Sequence, residues 1–251
     1  MIDVLYVLGW DVGGWMGKNN SFVLIKVNRT SGKLNWFYND SNYQIKQDNL
    51  FDLTDIFNDL TNETIKSNLD IVLAIDAPLT FPKQFIKFLN NNGEYIKKPK
   101  LEIFNPLAYR ETDRYIYKNY GKKPLSASFD RLGNNTTVAI SHLRYWQNYH
   151  PIEINNLEFN ENKINAIESY PALLKPGKYK QAFSEIHKLI PVNIKEGTDQ
   201  YDAALCSLMA VQFGFNNNYD DLPSLVFPPA ERQIYKDEGW IYHFALENIH
   251  K

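Results

Sequence analysis

Apolar residues run almost unbroken from Val4 to Trp10 and stop at Asp11-Val-Gly-Gly. A continuous β-favouring run closed by a turn predicts a strand buried on both faces. Ser21 to Val27 and Leu34 to Tyr38 follow, separated by the turn-rich stretch Asn28-Arg-Thr-Ser-Gly32. Together the three predict an antiparallel meander. Between Phe51 and Ile65 the apolar positions Leu53, Ile56, Phe57 and Leu60 take helical spacing. Leu69 to Ile75 is a second continuous apolar run, and it too ends on an acid and a turn, Asp76-Ala-Pro78. Strand, helix and further buried strand predict a right-handed crossover.

From about residue 83 to 135 the pattern loses its period and becomes rich in Asn, Lys, Tyr and Pro, which predicts a long functional loop or lid. Thr136 to Trp146 predicts a helix. Lys163 to Ile167 predicts a short strand running into Glu168-Ser-Tyr-Pro171, and a helical segment follows near Tyr179 to Leu189. Thr198 to Val211 carries the strongest helical pattern, and Gly239 to Phe244 predicts an added edge strand. With no internal repeat and no linker, 251 residues suit one domain spanning 1–251 with an elaborated segment at about 83–135.

Three buried-type strands thus run into a carboxylate: Asp11, Asp76 and Glu168. If they lie parallel, their ends share one sheet edge, where open α/β folds keep their sites. Asp199 and Asp202, three residues apart at the start of the last strong helix, share a helix face. Carboxylates gathered this closely raise each other's pKa unless a cation is present. An all-oxygen set suits a hard divalent ion, Mg²⁺ or Mn²⁺. Two such ions about 3.5–4 Å apart can activate a water and stabilise the leaving oxygen of a phosphodiester. Each acid also has a local reading: Asp11 and Asp76 as turn openers, Asp199 as an N-cap, Asp202 as a partner of the helix dipole. Glu168 has no obvious turn role.

Arg110, Arg114 and Arg131 lie in the long connection beside Thr112, Ser126 and Ser128, a set able to grip phosphate oxygens. Pairing of Arg110 and Arg131 with Glu111, Asp113 or Asp130, which would order the loop instead, stays open. Composition is ordinary for a globular chain, 44% hydrophobic and 22% charged. A net charge of −2 gives no long-range sign of a nucleic-acid partner. Lys97, Lys98, Lys100, Lys122 and Lys123 read as solvated loop lysines. Cys206, the only cysteine, forms no internal disulfide and suits a reducing, cytoplasmic compartment; its Ala- and Leu-rich surroundings predict burial. The acidic start lacks a basic leader, and no apolar run nears the roughly 18 residues of a membrane span. The histidines show no metal-ligand spacing.

The segments Gly9-Trp-Asp-Val-Gly-Gly-Trp15, Ala74-Ile-Asp-Ala-Pro-Leu79, Arg110-Glu-Thr-Asp-Arg114, Pro124-Leu-Ser-Ala-Ser-Phe-Asp-Arg-Leu-Gly133, Glu168-Ser-Tyr-Pro171 and Asp199-Gln-Tyr-Asp-Ala203 resemble domain of unknown function 429, a family described as predicted RNase H-fold nucleases. The resemblance spans about residues 5 to 243. It implies an RNase H-like mixed sheet, an antiparallel meander followed by parallel strands, flanked by helices. It nominates Asp11, Asp76, Glu168, Asp199 and Asp202 as metal ligands or their supports, and leaves open which of Asp199 and Asp202 touches the ion. It also implies a DNA or RNA substrate. The leading functional expectation is metal-dependent hydrolysis of a nucleic-acid phosphodiester. A non-catalytic RNase H-like binding module and an ATP-using phosphotransferase of the actin and sugar-kinase type are the alternatives.

Overall fold

In the computed structural model the described residues are 4–245, apart from 18, 40–42, 48, 67–68, 93–94, 156, 176–183 and 230–232; for 130–132 the backbone alone is described. Strands β1 (Val4–Asp11), β2 (Ser21–Asn28) and β3 (Leu34–Phe37) form the expected antiparallel meander. Helix α1 (Leu53–Thr61) leads to β4 (Asp70–Asp76), which pairs with β1 in parallel. Three helices follow, α2 (Lys83–Leu89), α3 (Glu111–Tyr120) and α4 (Asp130–Trp146). Beyond them come β5 (Ile152–Ile154) and β6 (Ile164–Ser169), then α5 (Ser184–Leu189), α6 (Asp199–Gly214), α7 (Ile234–Glu238) and β7 (Ile241–Tyr242). The sheet order is β3-β2-β1-β4-β6-β5, with β7 also on β6. This α/β arrangement, antiparallel strands followed by parallel ones with helices on both faces, is consistent with the RNase H-like expectation.

Alternation along β1 sorts its side chains between two cores. Leu5 and Val7 face α6 together with Val72 and Ala74 of β4. Tyr6, Leu8 and Trp10 face the opposite layer, built from Ile56 and Phe57 of α1 and Val138, Leu143 and Trp146 of α4. α6 is almost wholly buried and apolar all round, the pattern of a helix enclosed by other elements rather than one lying on the surface.

Several boundaries differ from expectation. α1 is capped by Asp52, which accepts from the Thr54 amide at 2.7 Å. It ends before Ile65 because Asn62 turns left-handed at φ 57° and its N–H donates to Asn58 O. The segment 83–135 carries more helix than expected: α2, α3 and the start of α4 fall within it, joined by irregular stretches at 90–110 and 121–129. α4 begins six residues before Thr136, through Gly133-Asn-Asn, which is poor helix sequence. Tertiary contacts override that propensity. Asn135 Nδ2 donates to Val12 O at 2.7 Å, and Trp15 is tied to α4 through Thr137 Oγ1 at 2.9 Å. β5 is an unanticipated strand, and the expected strand at 239–244 shrinks to two residues. The expected helix near 179–189 is seen as 184–189, and its earlier part lies outside the described residues. No helix among the described residues is long and apolar enough to cross a membrane.

Candidate metal centre

Asp11 and Asp76 end neighbouring parallel strands and are direct register partners. Sharing parity with Leu5, Val7, Val72 and Ala74, both carboxylates leave the sheet on the face that carries α6. That helix comes unusually close at Gly9, where a Cβ would lie 1.9 Å from Ala203 O and 2.5 Å from Ser207 Oγ. Only glycine permits the approach. Ser207 Oγ then accepts from the Gly9 amide at 3.0 Å and donates to Val23 O at 2.7 Å. With its body fixed there, α6 brings its first turn over the strand ends. Carboxylate oxygens of Asp11, Asp76 and Asp202 all lie within 4.8 Å of one another.

The N-cap of α6 is Thr198, whose hydroxyl accepts from the Tyr201 amide at 3.2 Å, so Asp199 is not the cap. Asp202 joins the cluster, whereas Asp199 stays outside it and contributes only its charge. One oxygen of Asp202 pairs with Lys175 Nζ. The other, Oδ1, is buried with no hydrogen-bond partner among the described residues. An unpaired oxygen on a buried carboxylate is costly unless a cation meets it.

The titration behaviour follows. Burial, and then Asp76, Asp202 and Asp199, push the Asp11 carboxyl up to about 9. Burial and Asp202 push Asp76 up to about 7. Burial raises Asp202 as well, against the opposing pull of Lys175. Burial works against the Lys175 ammonium, yet Asp202, Asp76 and Asp11 hold it above its ordinary value. Beside it, Lys122 donates to Ala172 O and lies 5.5 Å over the Tyr170 ring. Burial and Lys175 lower its pKa, while Asp76 and Asp202 oppose that shift. Lys122 is therefore a half-buried neighbour of the acids and not the solvated loop lysine expected. Neither lysine carries a local signal; only the fold brings them to the carboxylates.

Glu168 goes elsewhere. Its register partner on β4 is Ile75, not Asp76, so its side chain leaves the sheet on the opposite face. There it takes both arms of Arg110, Nη1 to Oε2 and Nη2 to Oε1, each at 2.6 Å. It also accepts from the Leu79 amide at 3.1 Å. Of the roles expected of Glu168, ligand or support, the geometry leaves it outside the cluster of Asp11, Asp76 and Asp202.

Arg110 is 0% exposed and bonds Asp113 through Nε at 3.2 Å and Nη2 at 3.0 Å. Burial disfavours its charge, but Asp113 and Glu168 hold the guanidinium above its ordinary pKa. The two carboxylates thus occupy a side chain expected to grip phosphate. Arg114 is likewise engaged, by Glu111 at 2.7 Å and Tyr109 O at 2.8 Å. Ser126 Oγ donates to Ala108 O and accepts from the Ser128 and Phe129 amides, shaping the entry to α4. Ser128 Oγ is buried without a hydrogen-bond partner among the described residues. The side chain of Arg131 lies outside the described residues. A small cavity of about 30 Å³ separates the two charge systems, bordered by Asp76, Ser169, Glu168 and Arg110.

Cys206 is buried, as expected. Among the histidines, His142 stacks on Phe51 at 3.9 Å and His243 meets Tyr120 Oη at 2.8 Å; burial lowers each to about 4. In comparisons with known proteins the chain matches no family model, no curated protein and no solved structure.

Proposed function

We propose that the chain is a divalent-metal-dependent phosphodiesterase of the nuclease type, with Asp11, Asp76 and Asp202 holding Mg²⁺ or Mn²⁺. The observation that carries this reading is the buried, unpartnered Oδ1 of Asp202 within a cluster whose other carboxyls are forced towards neutrality. The donor set is all oxygen, which fits a hard cation. A divalent ion there would supply the charge that keeps three carboxylates ionised and would polarise a phosphoryl oxygen. Lys175 and Lys122 take over the phosphate-facing role first expected of the arginines, since they are the cations beside the acids among the described residues. The Arg110–Glu168 pair acts as a brace that sets the turn after Asp76 through the Leu79 amide. The sequence resemblance to domain of unknown function 429 supports the reading, and a buried lone cysteine suits a cytoplasmic enzyme.

The Lys175–Asp202 ion pair favours one competing reading, a binding module in which lysine neutralises the cluster permanently and no ion enters. Titration calorimetry with Mn²⁺ separates the two. The enzyme reading expects saturable binding that Asp76→Asn abolishes, together with Mn²⁺-dependent cleavage of a labelled DNA or RNA that the same variant lacks. Absence of binding at millimolar Mn²⁺ would leave the module.

A further inference from the structure

The segment 83–135 presents an unusual surface to solvent. Of the twelve large apolar side chains left exposed among the described residues, nine lie between Ile86 and Phe129. α2 buries none of its residues. Its Phe85 touches the Phe81 ring at 5.9 Å and the Phe129 ring at 5.5 Å, so an aromatic run crosses from α2 to the start of α4. Leu125, which is 54% exposed, lines the cavity bordered by Asp76.

The same segment holds eleven Lys and Arg against five Asp and Glu, a net +6 within a chain of −2. The whole-chain charge hides this asymmetry. Several of these cations are paired internally, but Lys87, Lys97, Lys98 and Lys100 form no ion pair among the described residues, and all four are exposed.

We infer that this face is a platform for single-stranded nucleic acid, on which unpaired bases stack against exposed rings while lysines follow the phosphates towards the acidic centre. The inference rests on the phosphodiesterase reading for the identity of the ligand. Exposed rings offer nothing to a duplex, whose bases are already stacked, whereas every unpaired base has a free face. A surplus of unpaired cations favours a polyanion over a protein partner docking through apolar contact alone. The platform also offsets the repulsion that an acidic centre exerts on phosphate.

Fluorescence anisotropy with a labelled oligothymidylate, and with a duplex of equal length, tests this on the full chain in EDTA, where no cleavage occurs. The single strand is expected to bind at least about tenfold more tightly than the duplex. Joint replacement Phe88→Ala and Phe129→Ala weakens it by about tenfold or more. Joint reversal Lys97→Glu, Lys98→Glu and Lys100→Glu lowers the slope of log affinity against log salt by about 2. Asp76→Asn retains binding, which separates the platform from the metal centre. Platform variants that fold by circular dichroism yet bind like the parent overturn the inference. So does equal binding of duplex, or no binding of either. A concentration-dependent dimer that Phe88→Ala disperses, seen by sedimentation velocity without oligonucleotide binding, would assign the face to a second copy instead. Metal-dependent cleavage confined to duplex would sink the platform and leave the phosphodiesterase reading; single-strand binding without any cleavage would do the reverse.

Discussion

Glu168 lies in register with Ile75 of β4, one residue short of Asp76. Because strand side chains alternate, that offset sends its carboxylate away from Asp11 and Asp76, into a bidentate pair with a fully buried arginine. The sheet end therefore carries two charge systems of opposite design. In one, Arg110 bonds both carboxylates, Glu168 and Asp113; in the other, Lys175 pairs with only one of three.

Removing the brace is expected to cost stability. Arg110→Ala strands two buried carboxylates, at a loss of about 3–5 kcal/mol, readable by urea denaturation. Glu168→Gln keeps the shape and is expected to lower stability while leaving Mn²⁺ binding intact. Loss of metal affinity in a folded Glu168→Gln protein would return Glu168 to the ion's ligand set.

The metal-free protein should lose stability as pH rises. Asp11 and Asp76 stand near 9 and 7 in the fold, against an ordinary value of 3.8. The two carboxyls keep protons in the fold that the unfolded chain releases near pH 4, but His142 and His243, held near 4 in the fold, take up protons on unfolding below about 6.5 and offset them. Above about pH 7 the carboxyls alone remain, so unfolding free energy falls as pH increases. The contribution is fully present below pH 4 and is lost as pH passes through 7 and then 9. Saturating Mn²⁺ should flatten the slope, because the ion takes the place of the protons. Thermal melts from pH 7 to 9, above the range in which the two histidines contribute, with EDTA and with Mn²⁺, read both effects. A metal-free stability that rose over this range would contradict the geometry.

Lys175 competes with a divalent ion for Asp202. Lys175→Met is expected to tighten Mn²⁺ binding by about tenfold, since a like charge leaves the site, and to slow cleavage, since a phosphate-facing cation is lost. Calorimetry paired with a cleavage assay measures both. Unchanged affinity would show that Lys175 swings clear when the ion enters.

Gly9→Ala should disable the centre from beneath. Its Cβ would fall 1.9 Å from Ala203 O, a backbone atom that can yield only if α6 shifts. The expected result is a loss of more than about 3 kcal/mol and of Mn²⁺ binding. Ser207→Ala is the milder companion, costing about 1–3 kcal/mol for an unsatisfied Gly9 amide while retaining the ion.

Local pattern was enough to read the strands β1, β2, β3, β4 and β6, the helix α6 and the carboxylate at each strand end, because apolar runs, turns and helical spacing are written within a few neighbouring residues. Propensity failed where distant contacts outweighed it, as at Gly133-Asn-Asn, held helical by Val12 and Trp15. The composition of the centre lay further out of reach. That Asp202 enters and Asp199 does not, that Glu168 faces away, and that Lys175 and Lys122 stand guard all depend on strand register and on how closely α6 settles over Gly9. Those are relations between segments far apart in the chain, decided by packing and by the pairing of buried charge, and no short window of residues contains them.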